Sequence, residues 1–156
     1  HLYLVQHGDA LPKDEDPNRP LSEKGRQDVG RMAAFLARTR PSISRVVHSG
    51  KGRAIQTALA FAETMGPGRI LEEAIEGLAP DDSPTIVADV VNGWTEDTML
   101  VGHLPHLSRL AGLLLTGDAN ETIVYFQPGT VLCLERSENG HGWSVTWAVR
   151  PELLGG

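Results

Sequence analysis

Apolar residues follow two rhythms along this chain. Short unbroken blocks (Leu2-Tyr3-Leu4-Val5, Val46-Val47, Met99-Leu100-Val101) alternate with longer stretches where apolar positions return every three or four residues. Unbroken blocks of that length suit a strand buried on both faces, whereas the longer spacing marks one face of a helix. Leu2–Gln6 is the first predicted strand. A polar loop, Leu11–Pro20, carries three prolines and leads to Ser22, a good N-cap. The helix it opens runs to Arg38, with an apolar stripe of Val29, Met32, Ala33 and Leu36; Pro41 stops it. Arg45–His48 is the next strand, and Lys51–Met65 the next helix, with Ala54, Ala58, Phe61, Ala62 and Met65 on one side and Gly66-Pro67-Gly68 at its end. Arg69–Leu71 reads as a short edge strand. Ser83-Pro84 is a cap followed by a first-turn proline, and the helix after it is expected to bury Ile86, Val87, Val90 and Val91. Thr98–Val101 is a strand, and Pro105–Leu115 a helix with Leu107, Ala111 and Leu114 inward.

The rhythm changes in the last third. Val131–Arg136 and Trp143–Val149 flank the turn-rich Ser137-Glu138-Asn139-Gly140-His141-Gly142. Trp143, Val145, Trp147 and Val149 alternate with Ser144, Thr146 and Ala148, which is the period of two of a hairpin arm. Trp143 and Trp147 are therefore expected to pack on one side, and Ile123–Phe126 to add a further short strand. The alternation predicts an α/β fold. It is a three-layer α/β/α sandwich whose sheet is mostly parallel, with an antiparallel C-terminal edge hairpin.

Composition narrows the class. The 156 residues make one domain, 1–156, long enough to bury a real core. A formal net charge of -6 argues against gripping nucleic acid by bulk electrostatics, though it leaves room for a small cationic pocket. The single cysteine, Cys133, excludes an internal disulfide and reads as a core residue; that usage fits a reducing cytoplasm. No apolar run reaches the ~20 residues of a membrane span, and the N-terminal residues read as a strand and not as a signal peptide.

Candidate chemistry sits at the ends of the predicted strands, where ligands bind in open α/β sheets. His7 follows the first strand in Gln6-His7-Gly8, and Gly8 lets backbone approach a ligand closely. His103 repeats that placement in Val101-Gly102-His103. Ser49-Gly50-Lys51-Gly52-Arg53 leads into a helix whose start carries cations. The macrodipole disfavours them there, and an anionic ligand at the helix N-terminus accounts for them. Arg19 ends the loop after the first strand and can bring a second guanidinium over the crevice. Each segment alone has an ordinary explanation: a strand-end histidine satisfied by a carbonyl, a solvated helix charge, or Arg19 paired with Asp14, Glu15 or Asp16. His48 reads as a satisfied structural histidine and His106 as a surface or neighbouring residue. A zinc site on His103 and His106 lacks third and fourth ligands.

Taken together, Leu4-Val5-Gln6-His7-Gly8-Asp9-Ala10, Arg19-Pro20-Leu21-Ser22-Glu23-Lys24-Gly25, Ser49 to Ala58 and Val101-Gly102-His103-Leu104-Pro105 resemble the histidine phosphatase superfamily, with its phosphoglycerate-mutase-like fold. The size resembles the SixA-type phosphohistidine phosphatases. The resemblance implies His7 as a nucleophile that carries the phosphoryl group, with His103 and Arg53 also catalytic. It implies that Arg19, Arg53 and His103 bind phosphate beside Gln6 and Gly8. It implies no metal or other cofactor, a phosphorylated protein partner, and no nucleic acid or membrane partner. Two departures stand out. Gln6 occupies the position where the family usually has arginine. The segment Glu72 to Asp82 also lacks a clean match to the carboxylate motif of ester-cleaving relatives, although Glu73, Glu76 and Asp81 are candidate acids. A phosphatase for small phosphomonoesters and a phosphate-binding module without turnover are the alternative functions.

Overall fold

The apolar blocks become the middle of one sheet. A computed structural model describes residues 1–155. Its elements are β1 (Leu2–Gln6), α1 (Glu23–Arg38), β2 (Arg45–His48), α2 (Gly52–Met65), β3 (Leu71–Ala74), α3 (Pro84–Asn92), β4 (Thr98–Gly102), α4 (His106–Thr116), β5 (Val131–Arg136) and β6 (Trp143–Val149), followed by a 3-10 turn at Pro151–Leu154. The six strands lie in the order β3-β2-β4-β1-β5-β6. The first four are parallel, and β5 and β6 run antiparallel at one side. Every residue of β1 and β4 is buried, as continuous apolar strands in the centre of a covered sheet must be.

Two cores flank the sheet. On one face Tyr3, Val5, Met99 and Val101 pack with Val29, Met32 and Leu36 of α1 and Ala58 and Phe61 of α2. On the other, Leu2, Leu4 and Leu100 pack with Val87 and Val91 of α3 and Leu107, Leu110 and Leu114 of α4. The predicted sandwich is thus observed. Ser22 caps α1 by accepting from the Gly25 N–H, and Ser83 caps α3 by accepting from the Thr85 N–H. Cys133 is a buried free thiol. Among the described residues, no helix is long and apolar enough to cross a membrane.

Four local expectations are corrected. The edge strand is Leu71–Ala74, because Arg69 and Ile70 close a turn onto the Gly66 carbonyl before pairing with β2 begins. Ile123–Phe126 forms no strand: β1 already has β4 and β5 as neighbours, and Val124 and Phe126 are taken up by the apolar core on the α3–α4 face. In α3 the inward stripe is Pro84, Val87, Ala88 and Val91, at i, i+3, i+4 and i+7, so Ile86 and Val90 face solvent. Trp143 and Trp147 lie on opposite faces. Cys133 pairs with Trp147 but Leu134 pairs with Val145, so Thr146 is the extra residue of a bulge that inverts the alternation.

The loop after β1 is clamped onto the first turn of α1. A Cβ on Gly25 would lie 2.0 Å from the Asp9 carbonyl oxygen, and one on Gly8 would lie 2.7 Å from Val29 Cγ2. Alanine is the better helix former by about 1 kcal/mol, yet Gly25→Ala is expected to destabilise the fold by about 1–3 kcal/mol through forced displacement of that loop. Urea unfolding checks this, and a stabilised variant would refute the clamp.

Candidate active site

Strand register brings the predicted residues together. Gln6 pairs with Gly102 and His48 with Val101 across three adjacent parallel strands, so β1, β4 and β2 end at one level. The His7 amide extends the ladder by donating to the Gly102 carbonyl at 3.1 Å. His7 and His103, each one residue past its strand, therefore meet, with ring centroids 4.9 Å apart and planes tilted by 51°. Arg53, two residues into α2, donates from Nε to His7 Nε2 over 3.4 Å.

The state of His7 follows from its bonds. Its Nδ1–H donates to the Gly8 carbonyl at 2.7 Å, which leaves the lone pair on Nε2, the atom facing Arg53. Burial lowers its pKa to about 4, and the charges of Arg53 and Arg19 add to the shift. Burial, more than the neighbouring cations, keeps this ring neutral. The Gly8 N–H donates to Thr57 Oγ1 at 3.0 Å, and that hydroxyl donates to the Arg53 carbonyl at 2.8 Å. The Gly8 carbonyl and amide are both engaged in fixing His7 against α2.

His103 is almost wholly buried, and its pKa is lowered to about 3 by burial, His7, Arg53 and Lys51. A protonated ring is thus disfavoured here. Ser49 Oγ and His103 Nε2 share a 2.6 Å hydrogen bond, while Nδ1 has no partner among the described residues. His48 accepts the Gly50 N–H on Nδ1 at 3.0 Å, and its Nε2–H donates to Glu72 Oε1. His106 is completely buried in the first turn of α4, not at the surface.

Arg19 holds a left-handed backbone, φ 48°, uncommon for a side chain of this size, and donates from Nε to the Leu11 carbonyl at 3.1 Å. It forms no ion pair with Asp14, Glu15 or Asp16 among the described residues, and its charge depresses the proton affinity of both His7 and Arg53. Gln6 is buried, with Oε1 unpartnered. The nearby carboxylates are committed elsewhere. Asp9 Oδ2 accepts from Ser22 Oγ at 2.6 Å, Glu72 faces His48, Glu73 lies 3.5 Å from Arg45, and Asp82 Oδ2 accepts the Ala79 N–H at 2.9 Å. Glu76 and Asp81 are exposed.

Sequence reasoning gave no role to Ser49, Thr57 or Glu72. Thr57 had a signal: it stands four residues after Arg53, on the same helical face. Ser49 and Glu72 contact residues far away in the sequence, which spacing within one segment does not reveal.

The model of the histidine phosphatase superfamily (branch 1) matches residues 2–78. No curated protein sequence matches the chain. The solved structure of the protein histidine phosphatase SixA complexed with tungstate is similar over 98% of both chains, with 25% identity and a TM-score of 0.84. A provisionally assigned SixA from Agrobacterium tumefaciens is similar over 96% of this chain and 97% of its own, at 20% identity and a TM-score of 0.77. Mycobacterial glucosyl-3-phosphoglycerate phosphatase is 17% identical, over 93% and 96% of the two chains, with a TM-score of 0.68. The chain thus matches the histidine phosphatase superfamily over residues 2–78 and shares the fold of the SixA structures along nearly its whole length.

Proposed function

We propose that this protein is a phosphatase that removes the phosphoryl group from phosphohistidine on a signalling or phosphotransfer protein, through a covalent intermediate on His7. One observation carries the reading. The Nε2 lone pair of a neutral, tautomer-locked His7 faces Arg53 and His103, with no carboxylate hydrogen-bonded to it among the described residues. Among similar structures, SixA binds tungstate, a tetrahedral oxyanion like phosphate.

Phosphoryl transfer asks for positioning and charge stabilisation. His7 Nε2 attacks phosphorus, and the phosphorus–nitrogen bond to the substrate ring breaks with its electron pair going to the departing nitrogen. A substrate imidazole protonated on its distal nitrogen leaves as neutral imidazole, so no protein acid is required. Serine or sugar esters leave as alkoxides unless a proton is supplied. Water then attacks the phosphorylated His7, releasing inorganic phosphate and restoring the ring. Arg53 and Arg19 bind the phosphoryl oxygens. A bound phosphoryl dianion raises the proton affinity of His103, turning a neutral ring into a charged donor to that group. Gln6 contributes a neutral amide where the family usually has a guanidinium, which weakens the grip on phosphate.

Three outcomes follow. A phosphohistidine peptide is expected to turn over faster than p-nitrophenyl phosphate, with His7→Ala lowering both rates more than about a thousandfold; preference for sugar phosphates with inertness toward phosphohistidine would sink the substrate assignment. Gln6→Arg is expected to raise kcat/KM by about tenfold, the difference between a neutral and a charge-assisted hydrogen bond; steady-state kinetics of that variant decide the point. The neutrality of His7 and His103 also carries a pH signature. Their unfolded rings take up protons near pH 6.5, whereas the folded rings resist until about 4 and about 3. Stability conferred by the neutral rings is therefore present above pH 7 and is lost as the pH falls below 6.5. Between pH 7 and pH 5 each ring should cost about 1–2 kcal/mol of folding stability. Urea unfolding at both pH values should show this loss, and the double variant His7→Gln, His103→Gln should show less of it.

A further inference from the structure

His103 is oriented by one hydrogen bond, that to Ser49, since its Nδ1 has no partner among the described residues. Whatever places Ser49 therefore places His103. Ser49 lies in a turn between β2 and α2, half-buried and followed by Gly50 in the left-handed region at φ 86°. Two contacts hold that turn. The Lys51 N–H donates to Ser49 Oγ at 3.3 Å, and the Gly50 N–H donates to His48 Nδ1 at 3.0 Å. The second is the shorter and the more buried, because the His48 ring is only 3% exposed. It exists only while Nδ1 is an acceptor, and Glu72 on β3 enforces that tautomer by taking the Nε2–H. The Ile75 N–H, just past β3, donates to the His48 carbonyl at 2.9 Å and ties the same residue down by its backbone.

We propose that His48 is a positioning residue for the phosphoryl-transfer centre: Glu72 fixes its tautomer, its Nδ1 holds the Gly50 amide, and the turn so fixed presents the Ser49 hydroxyl to His103. This rests on the functional reading above for its catalytic consequence, but the hydrogen-bond chain is measurable without turnover. His48 contacts neither His7 nor the phosphoryl group in this scheme. It acts through Ser49, across three strand ends: β3, β2 and β4. The effect is geometric, so it belongs in kcat more than in KM; displacement of a reacting group by about 1 Å can cost about a hundredfold.

Two substitutions separate this role from simple packing. In His48→Asn the amide oxygen replaces Nδ1 and accepts the Gly50 N–H as an Asx turn, while the bond to Glu72 is lost. In His48→Gln the longer amide keeps a donor for Glu72 and loses the acceptor for Gly50. Positioning predicts that Asn outperforms Gln; stabilisation through the Glu72 pair predicts the reverse order. The expected result for His48→Gln is a kcat reduced by about 10–100-fold with KM changed less than about threefold, faster hydrogen exchange of the Gly50 amide, and displaced NMR signals of the His103 ring. His48→Asn should stay within about threefold of wild type in kcat and keep the Gly50 amide protected. Ser49→Ala should lower kcat comparably, and its effect should not add to that of His48→Gln, as for residues acting in series. Thermal unfolding of each variant verifies an intact fold, and Ser49→Ala tests the chain without touching the buried ring. Equal behaviour of the Asn and Gln variants, an unchanged Gly50 exchange rate in His48→Gln, or additivity with Ser49→Ala overturns the proposal. A wild-type protein without phosphatase turnover would instead overturn the functional reading, while the exchange and ring signals still decide whether His48 holds the turn.

Discussion

The parallel ladder between β1 and β4 is the constraint on which the site depends. Its register sets Gln6 opposite Gly102, and the backbone hydrogen bond from His7 to Gly102 carries the pairing one residue beyond the strand. Side chains alternate along a strand, so slipping this pairing by one residue would turn every inward side chain outward and separate the two imidazoles. The cores on both faces oppose such a slip: Tyr3 and Val5 belong to the α1–α2 side, Leu2 and Leu4 to the α3–α4 side. Hydrophobic burial along the strands thereby sets the distance between His7 and His103.

Burial has a second effect at the same place. The rings of His7 and His103 are withdrawn from water, which removes the hydration that would favour their charged forms. The surrounding cations are Arg53, Arg19 and Lys51, and they act in the same direction. Such a site holds guanidinium charge beside neutral imidazoles, an arrangement that favours an anion. Thr57 links the two parts, since one hydroxyl accepts from Gly8 beside His7 and donates to the backbone of Arg53.

The sequence made much of this legible, for identifiable reasons. Continuous apolar blocks can hardly be anything but covered strands, so β1, β2 and β4 and the histidines after them could be read directly. Helices α1 and α2 carried unambiguous stripes and end signals. Where two faces were both apolar, as in α3, periodicity alone did not select Val87 and Val91 over Ile86 and Val90; packing against α4 did. The Thr146 bulge left no mark in the alternation of Trp143 to Val149, because an inserted residue is visible only against its partner strand. The tautomer of His7 and the neutrality of His103 depend on a backbone carbonyl and on depth of burial, which residue identity does not encode. The linkage from Glu72 through His48 to the Gly50 turn crosses from one strand to another and was likewise invisible.

The irregularity at Thr146 also affects how the molecule meets its neighbours in solution. β6 is one of the two edge strands, and an edge offers an unpaired row of amides and carbonyls that another chain could extend into a larger sheet. An inserted residue coils that rim and puts its free donors and acceptors out of step with any straight incoming strand. The same local defect that sends the two tryptophans to different faces thus acts as a guard against sheet-to-sheet aggregation along this margin.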